Sequence, residues 1–192
     1  MTASAVPGDL AIWRREQRRQ LLAARAAASP QDRADWQRRL AARLGAALHH
    51  RIGRIIGLYW PVRGEFDPLV LAADLVAAGR TLALPAIIAK DAPLDYRAWR
   101  PGDAMMTGEF GIPAPAAPAR VTPETLVIPC LGFDAARYRL GYGGGYFDRT
   151  LAALAPRPFA LGAGFEQGAL ATIFPQPHDI ALDAIVTEGR EI

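Results

Sequence analysis

Short apolar runs alternate with helix-forming segments along most of this chain, and that alternation is the strongest constraint on its fold. The runs with the length and composition of buried strands are "RIIGLY" at 54–59, "TLALPAI" at 81–87, "TLVIPCLGF" at 125–133, "FALGAGF" at 159–165 and "ALDAIVTE" at 181–188. Strands that are apolar on both sides need cover on both faces, which the intervening helices can supply. The pattern predicts an α/β fold with a parallel sheet, whose ligands bind at the carboxyl ends of the strands.

The helices are predicted from their capping residues and composition. Residues 10–27 have the composition of an arginine-rich helix. Ser29, followed by proline, is a typical helix cap and predicts a second helix over residues 30–50. An Asp-Pro start and a closing glycine predict a third helix within residues 67–79, and a fourth follows near residues 146–155.

The length and composition of the chain predict one domain spanning residues 1–192. A chain of 192 residues, 51% of them hydrophobic, can bury a sizeable core. Residues 94–99 alternate in polarity and predict an edge strand, whereas the proline- and glycine-rich residues 100–124 predict a loop. Cys130, the only cysteine, lies among apolar neighbours and is expected to be a small buried hydrophobe.

The charge balance suggests an anionic partner without naming it. The net charge is +3, and Lys90 is the sole lysine beside many arginines, which favour planar contacts with phosphate and carboxylate. A small anionic molecule and a nucleic acid both fit this excess. The amino-terminal residues do not match a signal peptide, and no apolar run is long enough to span a bilayer, so we expect a soluble, cytoplasmic protein.

A run of glycines between a predicted strand and a predicted helix is the most informative local motif. Four of the five positions from Gly141 to Gly145 are glycine, with Tyr142 between them. Such a backbone can approach a ligand closely and turn several N–H groups toward a phosphate, although a tight turn without a ligand is the ordinary alternative. The run lacks the third glycine of a dinucleotide fingerprint and the Lys-Ser/Thr of a P-loop.

Several charged residues could assist a phosphate site. Asp148 could hold magnesium beside the phosphates, or merely face the helix dipole as an acid of the first turn. Asp183 could be a second metal carboxylate or a surface acid at a strand end. Arg14 and Arg18 share a helix face and could grip a triphosphate, but a solvated basic face is the common alternative. Glu65 could bind a polar heterocycle or be a surface acid of a loop.

The segment "PCLGFDAARYRLGYGGGYFDRTL" at 129–151 resembles the 5-formyltetrahydrofolate cyclo-ligase family, also called 5,10-methenyltetrahydrofolate synthetases. That family has a proline, a short apolar run, "FD" and then "RLGxGGGYYDR". Further resemblances follow in the family's order: "WRREQRRQLLAAR" at 13–25, "YWPVRGEFD" at 59–67, "LALPAI" at 82–87, "GEFGIPAP" at 108–115 and "PHDIALDAIVTE" at 177–188. Only the glycine motif is highly specific by itself.

The resemblance implies a role for each matching position. The ATP site would contain Arg14, Arg15, Glu16, Gln17, Arg18, Arg139, Leu140, Gly141, Tyr142, Gly143, Gly144, Gly145, Tyr146 and Phe147. The folate site would contain Trp60, Glu65, Tyr142, Gly143, Gly144, Gly145 and Tyr146. The catalytic residues would be Arg139, which stabilises the transferring group, and Asp148; the magnesium carboxylates would be Asp148 and Asp183. Tyr142 stands where some relatives have a basic residue, so that charge is missing here.

The resemblance also implies a fold and a reaction. The fold would be a three-layer α/β/α sandwich with a mostly parallel sheet, of the sugar-phosphate-isomerase and CoA-transferase type. The reaction would convert 5-formyltetrahydrofolate into 5,10-methenyltetrahydrofolate with ATP as co-substrate and Mg²⁺ as cofactor, releasing ADP and phosphate. The expected partners are these small molecules, with no nucleic acid or membrane, and the expected state is a monomer.

Three rival functions remain at this stage. A paralogue could bind formylfolate or nucleotide without turnover, but it would have no need for the charged residues around the glycine run. An RNA-binding protein could use the arginine-rich helix, although aromatic residues are not interleaved with its basic ones. A nucleotide-dependent oxidoreductase is disfavoured because the dinucleotide fingerprint and its ribose-binding acid are missing.

Overall fold

The protein is described from a computed structural model, which covers residues 6–50, 53–116 and 119–192. Its helices are α1 (Leu10–Ala27), α2 (Pro30–His49), α3 (Ala72–Ala77) and α4 (Tyr146–Ala153). Its strands are β1 (Ile55–Gly57), β2 (Thr81–Ala86), β3 (Asp95–Trp99), β4 (Met105–Thr107), β5 (Pro113–Pro115), β6 (Thr125–Pro129), β7 (Gly132–Phe133), β8 (Arg139–Leu140), β9 (Phe159–Ala163) and β10 (Ala184–Val186).

Six strands form the central sheet in the order β10-β9-β6-β1-β2-β3. The five strands from β10 to β2 are parallel, and β3 joins the edge antiparallel to β2 with Leu82 opposite Trp99. The expectations of a mostly parallel sheet and of an edge strand at 94–99 are therefore confirmed. Two small two-stranded sheets, β4-β5 and β7-β8, stand beside the central one.

Helices cover both faces of the sheet, which makes three layers. On one face, Leu40 and Leu44 of α2 and Leu75 of α3 pack against sheet residues such as Leu84 and Val127. On the other face, Leu151 of α4 lies in a cluster with sheet residues that include Leu126, Ile128 and Ile185. Because neighbouring residues of one strand point to opposite faces, both faces must be apolar, which explains the unbroken hydrophobic runs of the sequence.

The clearest differences between the predicted and the observed elements lie in three places. The run at 125–133 forms two strands, β6 and β7, with a bend between them. Residues 100–124, predicted as a loop, contain the β4-β5 hairpin. The predicted third helix begins as a 3-10 turn at Pro68–Leu71 before it becomes α3. Pairing across strands created the first two differences, and no local pattern in the sequence encodes such pairing.

Capping of α2 and the burial of Cys130 agree with the sequence. The Ser29 hydroxyl accepts a hydrogen bond from the Asp32 N–H at 3.0 Å and caps the helix. Cys130 is buried beneath the sheet's second face, and burial raises the pKa of its thiol to about 12. A thiol in that state is inert at neutral pH, as the prediction of a small buried hydrophobe requires.

A methyl group at Gly57 should destabilise the centre of the sheet. A Cβ at Gly57 would lie 2.5 Å from Leu126 Cδ2 and 2.7 Å from Tyr96 Cε1, which is too close for either side chain. We expect Gly57→Ala to lower the free energy of unfolding by about 1–3 kcal/mol, as measured by urea denaturation. Gly8→Ala is the control, because nothing lies within 4 Å of its added Cβ; equal stability of the two variants would contradict this packing.

Candidate functional site

A cleft of about 660 Å³ opens at the carboxyl ends of the parallel strands. Tyr59 and Trp60 follow β1 on one wall, Pro85–Ile87 end β2, and Pro129 ends β6. The opposite wall is the β4-β5 hairpin, and the glycine run closes one side. The cleft therefore lies where a parallel sheet is expected to place its ligands.

The glycine run forms an open turn between β8 and α4. Gly143 has φ +96 and Gly145 has φ +64, a backbone region that side-chain-bearing residues rarely adopt. Within the described residues, no hydrogen bond uses an N–H group between Gly141 and Gly145. Gly143 and Gly144 are exposed at the cleft. The amides are therefore free to bind an anion, which a closed structural turn would not allow.

Arg139 and Asp148 form an ion pair beside this turn. Arg139 Nη2 lies 2.9 Å from Asp148 Oδ2, and the side chains are only 5% and 20% exposed. The other Asp148 oxygen accepts the Ile180 N–H at 3.1 Å, and Arg139 donates to the Ile180 carbonyl at 3.3 Å. Asp148 thus does more than face a helix dipole: it ties α4 to β8 and to the chain before β10.

Arg14 and Arg18 line the cleft instead of forming a solvated basic face. Arg14 Nη2 lies 2.6 Å from Asp179 Oδ2 and 2.9 Å from the Phe174 carbonyl. Arg18 Nε donates to the Gly141 carbonyl at 2.7 Å, which holds α1 against the glycine turn. Burial and the neighbouring Arg14 lower the pKa of Arg18. Two partly dehydrated guanidinium groups beside free amides attract a polyanion.

Most of the other residues predicted for the two substrate sites also line the cleft. They are Trp60, Glu65, Leu140, Tyr142, Gly143, Gly144, Gly145, Tyr146 and Phe147, together with Arg139, Gly141 and Asp148. Arg15, Glu16 and Gln17 do not line it. Glu16 instead pairs with Arg19 on the outer side of α1 at 2.6 Å.

Asp183 lies apart from Asp148, so the structure does not bring the two expected metal carboxylates together. Its N–H donates to the carbonyl of Ala160 at the start of β9, so it belongs to the amino ends of the strands, opposite the cleft. Its carboxylate binds Arg157 at 3.0 Å and accepts the Ala160 N–H at 2.7 Å. The sequence did not reveal this because the predicted strand at 181–188 enclosed Asp183, whereas β10 begins at Ala184 and leaves Asp183 just before it.

Sequence reasoning missed several residues of the cleft. Asp179, which anchors Arg14, and the neighbouring His178 lie at the cleft. Phe110 at the tip of the β4-β5 hairpin lies there too, 74% exposed and 6.5 Å from the Tyr146 ring. The available signals were the "PHDIALD" and "GEFGIPAP" segments, which the sequence contains but which carry little meaning until the hairpin and α1 are placed.

Glu65 is a buried acid in the wall of the cleft. Burial raises its pKa to about 7, against hydrogen bonds from the Val62 N–H and Tyr142 hydroxyl and the charges of Arg25 and Arg63, which lower it. The Val62 N–H lies 2.9 Å from Glu65 Oε2. A carboxyl group whose pKa is close to 7 exists in both its protonated and its ionised form at neutral pH. It can therefore donate a hydrogen bond to a polar heterocycle or accept one from it.

The family of the chain follows from comparison with known proteins. The sequence profile described as the 5-formyltetrahydrofolate cyclo-ligase family matches residues 11–188. This chain belongs to the 5-formyltetrahydrofolate cyclo-ligase family. The family resemblance carried by the glycine motif is thereby confirmed.

Individual cyclo-ligases support the assignment. A protein of Mycolicibacterium smegmatis named 5-formyltetrahydrofolate cyclo-ligase is 32% identical over 150 residues, which cover 73% of this chain and 76% of that protein. The Escherichia coli K12 protein of the same name is 27% identical over 133 residues, covering 66% of this chain and 73% of its own length. Both likenesses extend well beyond the glycine motif.

Solved structures of cyclo-ligase relatives share the fold. The NMR structure of Aquifex aeolicus 5,10-methenyltetrahydrofolate synthetase superposes with a TM-score of 0.79 at 24% identity, covering 93% of this chain and 91% of that one. The Mycoplasma pneumoniae 5,10-methenyltetrahydrofolate synthetase gives a TM-score of 0.74 at 21% identity, covering 91% and 98%. At these identities the likeness establishes the fold.

Replacing Glu65 in this cyclo-ligase-family chain should remove a pH-dependent loss of stability. A carboxyl group whose pKa is raised in the folded state binds its proton more tightly there, so stability falls as the pH rises from about 4.5 to about 7. The free energy of unfolding of Glu65→Gln should rise relative to the wild type across that window, by about 3 kcal/mol at most. Urea unfolding at several pH values measures this; a constant difference would contradict the raised pKa.

Proposed function

We propose that this protein converts 5-formyltetrahydrofolate to 5,10-methenyltetrahydrofolate with ATP, releasing ADP and phosphate. Membership of the family indicates cyclo-ligase activity. The observation that carries the proposal is the open glycine turn, whose free amides stand beside the Arg139–Asp148 pair at the edge of the cleft. The γ-phosphate of ATP and the formyl oxygen that receives it fit that arrangement.

The phosphates of the nucleotide would lie at the glycine turn, next to the part of α1 that contacts it. Arg14 and Arg18 supply positive charge there, and the amides of the turn supply hydrogen-bond donors. Asp179 holds Arg14 at 2.6 Å and keeps its guanidinium in one orientation. Of the helix residues expected at this site, we retain these two arginines and omit Arg15, Glu16 and Gln17, whose side chains do not reach the cleft.

The folate would occupy the part of the cleft between Trp60 and the β4-β5 hairpin. Glu65 is placed to bind polar atoms of the pterin, and Tyr142 and Tyr146 border the same space. The walls there combine apolar side chains with a few polar groups, which suits a planar heterocycle whose faces are apolar and whose edge carries polar atoms. The glycines from Gly143 to Gly145 would border both substrates, and because they carry no side chains they leave room for the two to meet.

In this reaction the substrate supplies both nucleophiles. The formyl oxygen attacks the γ-phosphorus of ATP and ADP leaves; the second folate nitrogen then attacks the activated carbon, and phosphate leaves. The protein needs no nucleophile of its own, and the burial of Cys130 agrees with that. Its task is to align the two substrates and to balance phosphoryl charge, which Arg139 does through its guanidinium.

A magnesium ion fits the site only as a partner of the nucleotide. Among residues 6–50, 53–116 and 119–192, no group of three His, Cys, Asp or Glu side chains could hold a metal by itself. Mg²⁺ often uses one or two carboxylates together with substrate phosphates, which Asp148 can satisfy. The ion would supply charge neutralisation at the phosphates. Asp183 faces the other edge of the sheet and is not part of this proposal.

The surroundings of the cleft fit a small-molecule enzyme. None of the helices in the described ranges is long and apolar enough to cross a lipid bilayer. We infer that the protein acts as a monomer in the cytoplasm on reduced folate and ATP, without a nucleic acid or membrane partner.

Turnover can be tested directly with purified protein. We expect 5-formyltetrahydrofolate, ATP and magnesium together to give the near-ultraviolet absorbance of the methenyl product, and no signal when ATP is left out. Folded protein that binds 5-formyltetrahydrofolate but produces no such absorbance would overturn the proposal. That outcome would favour a non-catalytic paralogue that binds formylfolate or nucleotide.

Asp148→Asn should lower turnover while the protein still binds 5-formyltetrahydrofolate. Removing the charge leaves Arg139 without its partner and the phosphates without a metal carboxylate, so we expect the turnover number to fall about a hundredfold, while 5-formyltetrahydrofolate binding largely survives. Asp74→Asn is the matched control, since Asp74 is an acid in the first turn of α3 as Asp148 is in α4. Equal turnover in the two variants would contradict the role of Asp148.

A further inference from the structure

Arg25 is a buried cation whose position the reaction described above does not explain. It lies in the last turn of α1, only 5% exposed, and forms no ion pair with a carboxylate in the described residues. Its guanidinium donates to the Cys130 carbonyl at 3.4 Å and lies 5.7 Å from the centre of the Phe165 ring. Because a buried charge is unfavourable unless its hydrogen bonds are satisfied, each of its contacts matters.

Tyr142 connects this cation to the cleft. Arg25 Nη1 donates to the Tyr142 hydroxyl at 3.3 Å, and the same hydroxyl lowers the pKa of the neighbouring Glu65 carboxyl group. Arg63 also lies against this residue, with its guanidinium carbon 5.3 Å from the Tyr142 ring centre.

The chemistry of the three groups gives the chain of hydrogen bonds a direction. A guanidinium can only donate, so the Tyr142 oxygen must accept from Arg25. The phenol has one hydrogen, which is then available for the Glu65 carboxylate. Donation from Arg25 also polarises the phenol and strengthens its own donation.

The backbone around Glu65 is shaped to receive this arrangement. Arg63 has φ +50 and Gly64 has φ +70, so two successive residues adopt the left-handed region just before the acid. A Cβ at Gly64 would lie 3.4 Å from Arg25 Cδ. The turn at Gly64 therefore packs against the aliphatic part of the Arg25 side chain, which places Arg25 directly beside the residue that precedes Glu65.

We propose that Arg25 and Tyr142 are positioning residues, which orient the Glu65 carboxyl group through the phenol so that it binds the folate heterocycle. This inference rests on the proposed function for the identity of the heterocycle. The coupling of Arg25 and Tyr142 to Glu65, called the linkage below, is a property of the protein without ligand. Arg25 acts on the substrate only through Tyr142 and Glu65.

The linkage has a measurable consequence for the protonation of Glu65. The ionisable groups that face this carboxyl are Arg25, Tyr59, Arg63, Cys130 and Tyr142. Burial raises the pKa of Glu65 to about 7, and the Tyr142 hydrogen bond and the Arg25 charge both lower it. Loss of either group should therefore move the pKa further upward.

The experiment is a titration of Glu65 in the ligand-free protein by carboxyl ¹³C NMR, with its signal assigned from Glu65→Gln. We expect Tyr142→Phe to raise the midpoint by about one pH unit, since a hydrogen bond to a charged group has that effect. Arg25→Met should also raise it, and Arg25→Lys should raise it less because the charge is kept. Tyr138→Phe is the matched control and should leave the midpoint unchanged.

A kinetic measurement tests the same linkage in the working enzyme. In Tyr142→Phe the pH dependence of the KM for 5-formyltetrahydrofolate should move in the same direction as the NMR midpoint, with a smaller change in kcat. If Tyr142→Phe folds and leaves the midpoint where it is in the wild type, the proposal is wrong, whatever Arg25 variants do. If the wild type shows the NMR linkage but makes no methenyl product, the proposed function fails and the linkage stands.

Discussion

Burial of the central sheet on both faces is the constraint on which the rest of this structure depends. With α2 and α3 on one side and α4 on the other, the strands can present polar groups only at their ends. The carboxyl edge then becomes the place where loops, the glycine turn and α1 meet. A cleft at this edge follows from the layering, and its chemistry follows from which side chains the loops bring there.

Charge in the cleft is arranged in pairs that leave a net positive surplus for a ligand. Asp148 offsets Arg139 and Asp179 offsets Arg14, while Arg18 is bonded only to a carbonyl oxygen within the described residues. Each pair also connects distant parts of the chain, so the electrostatics and the geometry of the cleft are inseparable. A polyanion would complete this balance rather than disturb it.

The sequence predicted the sheet and the glycine turn well because both depend on local composition. Continuous apolar runs report burial on two faces, and four glycines in five positions report an unusual backbone. The element at 105–115 was missed because its two short strands depend on pairing with each other and on contacts with distant residues such as Arg97 of β3. Asp183 was misplaced beside Asp148 in the expected metal site because the predicted strand at 181–188 contained it, whereas β10 begins only at Ala184.

Asp179 and Arg25 illustrate a different limit of sequence reasoning. Judged from its neighbours in sequence, Asp179 is an ordinary acid in a loop and Arg25 an ordinary basic residue at the end of a helix. Their contacts lie 165 residues and 117 residues away along the chain, at Arg14 and Tyr142. Only a folded arrangement can show such partners, since the entropy and packing of the whole chain decide which side chains meet.

The amino-terminal helix contributes to the molecule unevenly. The two large hydrophobic clusters of the sheet contain no side chain from α1, whose buried Leu21 belongs to a small separate cluster with Leu131, Leu140 and Ile173. Yet α1 provides Arg14 and Arg18 to the lining of the cleft, and Arg25 to the hydrogen bond with Tyr142. The helix therefore contributes more to the chemistry of the cleft than to the packing of the sheet, so substitutions on its cleft-facing side should alter ligand binding more than they alter the scaffold.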